Sequence, residues 1–249
     1  MTPRMLDCGD TAFTVEFGNL ISPALLAAVN ALDAAILRHR DDPALAGIVE
    51  TVPTFRSLTV IYDPLATSRE ILESALARLL EESGDAAAPE GRQWRLPVCY
   101  GGEHGPDLEH VAAASGLSGE EVGALHAATE YVVYMLGFLP GFPFMGELPT
   151  PLQLPRRSEP RVRVPAGSVA IATGLTAIYP WESPGGWHLL GRCPAPLFDA
   201  GRAAPALLTA GDRVRFEPID DETYRSIAAD CAAGRTDPLE WCITGAEQS

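Results

Sequence analysis

Residues 161–192 read RVRVPAGSVAIATGLTAIYPWESPGGWHLLGR, and they combine short apolar runs with proline or glycine at almost every break. Such runs are typical of β-strands, and the glycines and prolines between them mark turns. Similar runs stand on both sides of this stretch, YVVYMLGF before it and ALLTAGDRVRFEPI after it. Short strands joined by such corners predict a closed or nearly closed β-barrel in the second half of the chain.

The SPGGW segment within this stretch is the most unusual of these corners. Pro184 restricts φ ahead of Gly185 and Gly186, and both glycines can adopt positive φ. We therefore expect the backbone amides of Gly185, Gly186 and Trp187 to converge into an anion-binding concavity. The residues expected to flank and close this concavity are Tyr179, Trp187 and Arg192. The alternative is a tight hairpin whose tryptophan plugs the barrel.

The first hundred residues show a different order of elements. Alternating runs predict strands at 11–18, 47–53, 57–63 and 92–100, and amphipathic runs predict one helix from Ser22-Pro23 and another over 68–84. The order β-α-β-β-α-β indicates a ferredoxin-like domain. The last strand can belong to either side of the small-residue linker that precedes it. The fold class is therefore α+β. We predict a ferredoxin-like domain over 1–89, a barrel domain over 90–220, and a helix with a loose tail over 221–249.

Composition limits the class of protein. The chain has 249 residues, of which 47% are hydrophobic and 20% charged, as in globular proteins. The longest apolar stretch has 15 residues and two prolines, too short and broken for a membrane span. No apolar segment follows the start MTPRMLDCGDTAF, so we expect no signal peptide. The five scattered cysteines predict reduced thiols in a cytoplasmic protein, without a metal site.

The chain contains 18 arginines and no lysine. A P-loop needs a lysine on the nucleotide phosphates, and pyridoxal phosphate needs one for its Schiff base. Biotin is also attached through a lysine. This chain therefore carries no P-loop and no covalent biotin or pyridoxal phosphate. The net charge of −15 argues against nucleic acid and anionic membranes as partners.

Positive charge is concentrated in one segment. Residues 151–199 hold five arginines against three acidic residues, whereas the rest of the chain is acidic. A guanidinium group matches the geometry of carboxylate and phosphate, so this segment can recognise a small anion. If a strand begins near Arg161, then Arg161 and Arg163 share one face. The alternative is that these arginines pair with acidic neighbours on the surface.

Several ordered motifs carry a resemblance to a known family. They are YGGEHGPDLEHVAAASGLS (100–118), LHAATEYVVYMLGFLPGFPFMG (125–146), LPRRSEPRVRVPAGSVAIA (154–172) and IYPWESPGGWHLLGR (178–192). Together they resemble the family that contains the B-type subunit of 5-oxoprolinase, the inhibitor of a sporulation kinase, and allophanate hydrolase subunit 1. The resemblance runs from about residue 8 to residue 218. It implies a ferredoxin-like domain joined to a cyclophilin-like β-barrel.

The resemblance also implies a function in a complex. Family members of the 5-oxoprolinase type act with A-type and C-type subunits to open 5-oxo-L-proline to L-glutamate while hydrolysing ATP. We expect a small anionic substrate here, with ATP bound by or shared with the partner subunits. Two other functions stay open: a carboxyltransferase subunit that serves biotin on another chain, and a non-enzymatic inhibitor of a histidine kinase.

Candidate site residues follow from the motifs. His126 lies four residues before Glu130 on a predicted helix, so the pair is a candidate general base and its partner, or a structural histidine. The GFLPGFPF segment places Phe142 in an aromatic pocket wall or in a barrel corner. Arg156 and Arg161 match the family motif and are candidate anion ligands. Ser168 is a candidate hydrogen-bond donor or a turn residue.

Overall fold

The computed structural model describes residues 3–83 and 91–243, and the chain divides into two compact units, 1–90 and 91–249. In both described ranges, no helix has the length and apolar character that crossing a membrane requires. All five cysteines are free thiols.

The first unit is a four-stranded antiparallel sheet with two helices. Its elements are β1 (Arg4–Asp7), β2 (Ala12–Glu16), α1 (Pro23–Arg38), β3 (Ile48–Pro53), β4 (Ser57–Tyr62) and α2 (Arg69–Ser83). The Ser22 hydroxyl caps α1 by accepting a hydrogen bond from the amide of Leu25, and Pro23 follows in the first turn, as the sequence predicts. Alternate residues of β2 and β4 pack with both helices into one core.

The edge of this sheet shows why the fourth predicted strand does not belong to it. The strand order is β1-β2-β4-β3, so β1 pairs with β2 along the edge where a ferredoxin-like fold places its last strand. β1 is not among the predicted strands. Because β1 occupies this edge, the strand predicted over 92–100 is free to join the second unit.

The second unit contains the remaining elements. They are β5 (Gln93–Tyr100), α3 (Leu108–Ser115), α4 (Gly119–Ala128), β6 (Tyr131–Leu136), β7 (Pro143–Gly146), β8 (Arg161–Val164), β9 (Ser168–Ala172), β10 (Leu175–Ile178), β11 (Ser183–Gly185), β12 (His188–Arg192), β13 (Arg213–Pro218), α5 (Asp221–Ala232) and β14 (Cys242–Ile243).

Seven of these strands form a closed barrel, which confirms the predicted fold class. The order is β12-β9-β10-β7-β6-β13-β5, and the pairing of β12 with β5 closes the ring. β13 runs parallel to β5, whereas the other barrel pairs are antiparallel. β14 extends the sheet from the start of β5.

The two faces of β9 support two separate cores. Val169 and Ile171 point into the large core that is shared with α3 and α4. Ala170 and Ala172 point the other way, into a smaller aromatic core beneath the ribbon formed by β8 and β11. Both faces of this strand are thus buried, which explains its continuous apolar sequence.

The C-terminal region is more ordered than the loose tail that the sequence predicts. The predicted helix is present as α5, with the Asp220 side chain accepting from the amide of Thr223 at its start. After it, β14 pairs with β5, so backbone hydrogen bonds hold this part of the chain to the barrel. Residues 244–249 of the predicted tail lie outside the described residues.

Candidate functional site

A cleft of about 600 Å³ lies in the second unit between α3, the 154–159 segment and the start of β12. The lining residues are His110, Ala114, Leu154, Pro155, Arg156, Arg157, Ser158, Glu159 and His188. Five of these nine residues have positive or neutral polar side chains, and Glu159 is the one carboxylate of the lining. The arginine-rich segment that the sequence marks therefore forms one side of the cleft, and α3 forms another.

Arg156 is the cationic group that the cleft can offer to a ligand. Its side chain is exposed, and the guanidinium carbon lies 5.9 Å from the ring centroid of Trp187. Within the described ranges, Arg156 forms no ion pair with a carboxylate. Trp187 is 4% exposed and packs against Phe142 and Phe144. A buried aromatic ring therefore supports a guanidinium that has no counterion among the described residues.

Asp107 binds the neighbouring arginines. Its buried carboxylate accepts from Arg157 Nη1 at 2.9 Å, from Arg161 at 2.8 and 2.7 Å, and from the amide of Leu189 at 2.8 Å. Burial by itself would raise the pKa of Asp107, but the hydrogen bonds from Arg161 and Leu189, with the charges of both arginines, lower it. Arg161 was predicted as an anion ligand, and the structure places its guanidinium in a bidentate pair with the Asp107 carboxylate, outside the cleft lining.

His188 has one bonded and one unbonded ring nitrogen. It is 5% exposed, and Nε2 lies 2.9 Å from the carbonyl oxygen of Pro155. Because a carbonyl only accepts hydrogen bonds, Nε2 carries the proton and Nδ1 of the neutral ring is an acceptor. Nδ1 is buried without a hydrogen-bond partner in the described chain. The exposed ring of His110 stacks on His188, with centroids 5.3 Å apart.

The predicted pair of His126 and Glu130 does not form. α4 ends at Ala128, so Glu130 lies beyond the helix and forms ion pairs with Arg213 at 2.6 Å and Arg215 at 3.4 Å. The two side chains therefore lose the helical spacing that would have brought them together. His126 itself is completely buried and lines no part of the cleft.

His126 belongs to a series of hydrogen bonds in which both of its ring nitrogens have partners. Thr176 donates to the carbonyl of Ala170 at 3.1 Å, so its oxygen accepts from His126 Nε2 at 2.9 Å. His126 Nδ1 then accepts from the Tyr100 hydroxyl at 2.8 Å. Burial lowers the pKa of His126 to about 3. The ring is thus held neutral with both nitrogens bonded, which is the structural alternative that the sequence left open.

The SPGGW segment does not form the predicted amide concavity. Ser183–Gly185 is strand β11, paired with β8, and neither Gly185 nor Gly186 has positive φ. A Cβ atom at Gly185 would collide with the Tyr179 hydroxyl, so close packing explains this glycine. The carbonyl of Gly186 accepts from the amide of Arg157 at 2.8 Å, which places the cleft segment beside the ribbon.

Most of the other predicted site residues lie outside the cleft lining. Phe142 and Tyr179 are buried and pack edge to face with ring centroids 5.0 Å apart, so Phe142 is part of a core rather than a pocket wall. Ser168 is buried on β9. Arg192 donates to the carbonyl of Ala166 at 3.0 Å and does not close the cleft.

The cleft also uses residues that sequence reasoning passed over. Asp107 and His110 both stand in the motif YGGEHGPDLEHVAAASGLS, which joins β5 to α3. Their spacing places Asp107 at the N-terminus of α3 and His110 within its first turn. The motif therefore marked this region in the sequence. The contact of Asp107 could not be predicted from it, because its partner Arg157 lies 50 positions later in the chain.

A second polar cluster joins α5 to the barrel domain. Glu103, His104 and Asp221 bring ligand-type atoms within 4.8 Å of one another. Arg225 pairs with both carboxylates, and His104 Nε2 lies 2.9 Å from Asp221. The ring of His104 also packs on Tyr224, with centroids 4.3 Å apart. An arginine thus compensates the acidic charge, and the cluster acts as an attachment of α5.

The barrel fold agrees with the comparisons to known proteins. Residues 3–208 match the family described as carboxyltransferase domain, subdomain C and D, and this chain belongs to that family. Within it, the chain is similar to the B-type subunit of 5-oxoprolinase from Bacillus subtilis, with 41% identity over 232 residues. This match covers 88% of the present chain and 93% of the relative.

Two solved structures place the same fold within longer chains. The protein TTHA0988 is 42% identical, with a TM-score of 0.72, and the match covers 85% of this chain and 40% of that chain. The Kluyveromyces lactis urea amidolyase is 21% identical, with a TM-score of 0.72, and the match covers 94% of this chain and 16% of that chain. The latter likeness shows the fold alone. The chain thus spans less than half the length of either protein.

Proposed function

We propose that this chain is the B-type subunit of an ATP-dependent 5-oxoprolinase, which opens 5-oxo-L-proline to L-glutamate together with C-type and A-type partner subunits. The similarity to the corresponding 5-oxoprolinase chain of Bacillus subtilis, over nearly the full length of both proteins, carries this proposal. The occurrence of the same fold as a part of longer chains supports a role within a larger assembly.

The cleft fits one feature of the substrate. 5-Oxoproline carries a carboxylate, and Arg156 offers a guanidinium that has no internal carboxylate partner within the described ranges. The Asp107 network positions the cleft segment through Arg157, so that Arg156 is presented from a fixed backbone. In this proposal, the present chain binds and orients the substrate.

The cleft does not fit ATP. A triphosphate needs several cationic or amide donors, whereas the lining offers one unpaired guanidinium and the Glu159 carboxylate. The chain also has no lysine to place on a phosphate. We therefore assign ATP to a partner chain. The lactam is a stable amide, and phosphorylation of its oxygen by ATP is a chemically reasonable way to activate it for hydrolysis.

Reconstitution tests the proposal. The chain is co-expressed with its A-type and C-type partners, and glutamate release from 5-oxo-L-proline is measured with and without ATP. We expect ATP-dependent release from the full set and none when this chain is left out. Arg156→Gln should lower the release, and the control Arg163→Gln should not, because Arg163 pairs with Glu182 on the surface. Folded subunits without ATP-dependent release would contradict the proposal.

Carboxyl transfer to or from biotin on another chain is a second candidate. The family description and the shared fold with urea amidolyase favour it. Purification of the complex followed by streptavidin detection separates the two candidates. A biotinylated partner, together with failure to release glutamate, would favour carboxyl transfer.

A further inference from the structure

The cleft lining carries one guanidinium and one carboxylate that have no partner of opposite charge. Arg156 forms no ion pair with a carboxylate within the described ranges, and Glu159 forms none with an arginine or histidine there. Both residues are exposed, so a ligand in the cleft of about 600 Å³ can reach either of them. They do not pair with each other. The lining therefore offers a ligand one positive and one negative group.

Arg157 lies between these two residues and is already bonded within the protein. Its guanidinium donates to the buried Asp107 carboxylate at 2.9 Å, and its Nε donates to the Glu159 carbonyl at 3.4 Å. Its backbone amide donates to the Gly186 carbonyl at 2.8 Å. The backbone from Arg156 to Glu159 is thus held at its middle, and the two unpaired side chains extend from a fixed segment.

This pair of charges matches an α-amino acid. Such a molecule carries a carboxylate and an ammonium on one carbon, and each group meets an opposite charge in the lining. 5-Oxo-L-proline supplies only the carboxylate, because its nitrogen is a neutral lactam N–H. Hydrolysis adds water across the lactam C–N bond, and a proton passes from the new carboxyl group to the freed amine. The product L-glutamate therefore acquires the ammonium that the substrate lacks.

We infer that the cleft recognises the ring-opened amino acid, with Arg156 binding the α-carboxylate and Glu159 binding the α-ammonium. This inference rests on the proposed function for the identity of the ligand, L-glutamate. Arg156 binds substrate and product alike, whereas Glu159 is the residue that distinguishes the product. L-Glutamate therefore competes with 5-oxo-L-proline for the cleft and inhibits the complex.

Two ligands that differ in one group test the role of Glu159. They are L-glutamate and L-2-hydroxyglutarate, which has a hydroxyl group in place of the ammonium. Binding is measured by calorimetry on the full chain and on the complex with its partners. We expect L-glutamate to bind roughly fivefold more tightly, which is the upper end of what an exposed ion pair contributes. The preference should decrease at high salt, because salt screens exposed charges.

Three variants assign the preference to its side chain. Glu159→Gln removes the charge and keeps the shape of the side chain, so its affinities for the two ligands should become equal within about twofold. Arg156→Gln should weaken both ligands and leave their ratio unchanged, because both carry the α-carboxylate. Glu182→Gln is the matched control and should keep the wild-type ratio, since Glu182 is an exposed carboxylate that pairs with Arg163 outside the cleft lining.

Inhibition of the complete complex gives a second readout, one that a merely structural role of Glu159 would not produce. In Glu159→Gln the inhibition constant of L-glutamate should rise roughly fivefold, whereas the KM for 5-oxo-L-proline should stay within about twofold of wild type. The KM is kept because the substrate has no ammonium. A general distortion of the cleft would instead raise both constants together.

The outcomes separate this inference from the proposed function. ATP-dependent glutamate release with an unchanged ligand ratio in Glu159→Gln overturns the inference and leaves the function standing. A Glu159-dependent preference for L-glutamate, without glutamate release by the complete complex, supports recognition of an amino acid by the cleft and removes the function. If Glu159→Gln fails to fold, the wild-type ligands decide: equal affinities for L-glutamate and L-2-hydroxyglutarate, or no binding of L-glutamate to chain or complex, overturn the inference.

Discussion

Two buried histidines in the barrel domain have the same tautomer and opposite surroundings. His126 donates from Nε2 to Thr176 and accepts at Nδ1 from Tyr100, and it is completely buried. His188 also donates from Nε2, to the Pro155 carbonyl, but its Nδ1 has no partner in the described chain. His188 lines a cleft and His126 does not.

The difference between the two residues lies in how many ring nitrogens are hydrogen-bonded within the protein. Both ring nitrogens of His126 are hydrogen-bonded within the protein, so neither is left to bind a ligand. The role of this ring is therefore structural. In His188 only Nε2 is bonded, and Nδ1 is buried without a hydrogen-bond partner in the described chain. Neither burial nor sequence motif separates the two residues. The count of bonded ring nitrogens does.

The largest expected effect concerns the support of the cleft. Asp107→Ala removes the acceptor of two arginines and of the Leu189 amide, next to His188. Removing one partner of a buried ion pair is strongly destabilising, so we expect a loss of about 3 kcal/mol in the free energy of unfolding. Urea denaturation measures it. The exposed pair of Arg163 and Glu182 provides the control, because Glu182→Ala should cost under about 1 kcal/mol. Equal losses in both variants would contradict this account of the cleft.

The second effect is the pH dependence that His126 imposes on stability. Burial lowers the pKa of His126 from 6.5 to about 3, so the unfolded chain binds a proton as the pH falls below 6.5 and the folded chain does not. The free energy of unfolding should therefore fall by about 2 kcal/mol between pH 8 and pH 5 on account of this residue. Stability is full above pH 6.5 and is lost toward pH 3.

The variant His126→Gln isolates this contribution. Its free energy of unfolding should change less between pH 8 and pH 5, with the difference from wild type near 2 kcal/mol. Asp107 has a pKa lowered from 3.8 and titrates below this range. Parallel pH profiles for wild type and variant would show that His126 is not held neutral.

The third effect separates binding from stability at Arg156. Arg156→Gln should reduce the affinity for 5-oxo-L-proline roughly tenfold or more, because a charge-assisted hydrogen bond is lost. The free energy of unfolding should stay within about 0.5 kcal/mol of wild type, since the side chain is exposed and has no carboxylate partner within the described ranges. A large loss of stability would instead place Arg156 with Asp107 among the supporting residues.

The smallest effect concerns the ring that covers His188. His110→Ala removes the stack with centroids 5.3 Å apart and should weaken ligand binding by up to about 1 kcal/mol, or fivefold. His110→Phe keeps a ring in this position and should restore most of the affinity. If the phenylalanine variant binds as weakly as the alanine variant, then the imidazole nitrogens of His110, rather than its stacking, matter.

Local patterns were sufficient for most of the fold. Short apolar runs between glycines and prolines predict the barrel strands, and Ser22-Pro23 predicts the start of α1, because these features depend on neighbours in the chain. The edge strand β1 escaped prediction since it has four residues and none of them is buried. Its place beside β2 depends on pairing and not on a pattern within the strand.

The site was less predictable because it depends on which charges meet across the fold. Arg156 and Arg161 look alike in the sequence, and only the position of Asp107, 54 residues before Arg161, separates a bound arginine from a free one. The predicted pairing of His126 with Glu130 was wrong since α4 ends at Ala128. The SPGGW glycines were given a conformational role, whereas the Tyr179 ring explains Gly185 by contact.

The parallel pairing of β13 with β5 has a consequence for how the chain folds. Gln93 pairs with Arg213, 120 positions later, so the barrel cannot close until nearly the whole second unit has left the ribosome. The sheet of the first unit needs only strands that lie within residues 4–62. Closing a long loop is entropically costly and slows folding. Synthesis therefore leaves the unclosed barrel strands exposed for longer than the first sheet, and this interval is when the nascent chain is most prone to aggregate.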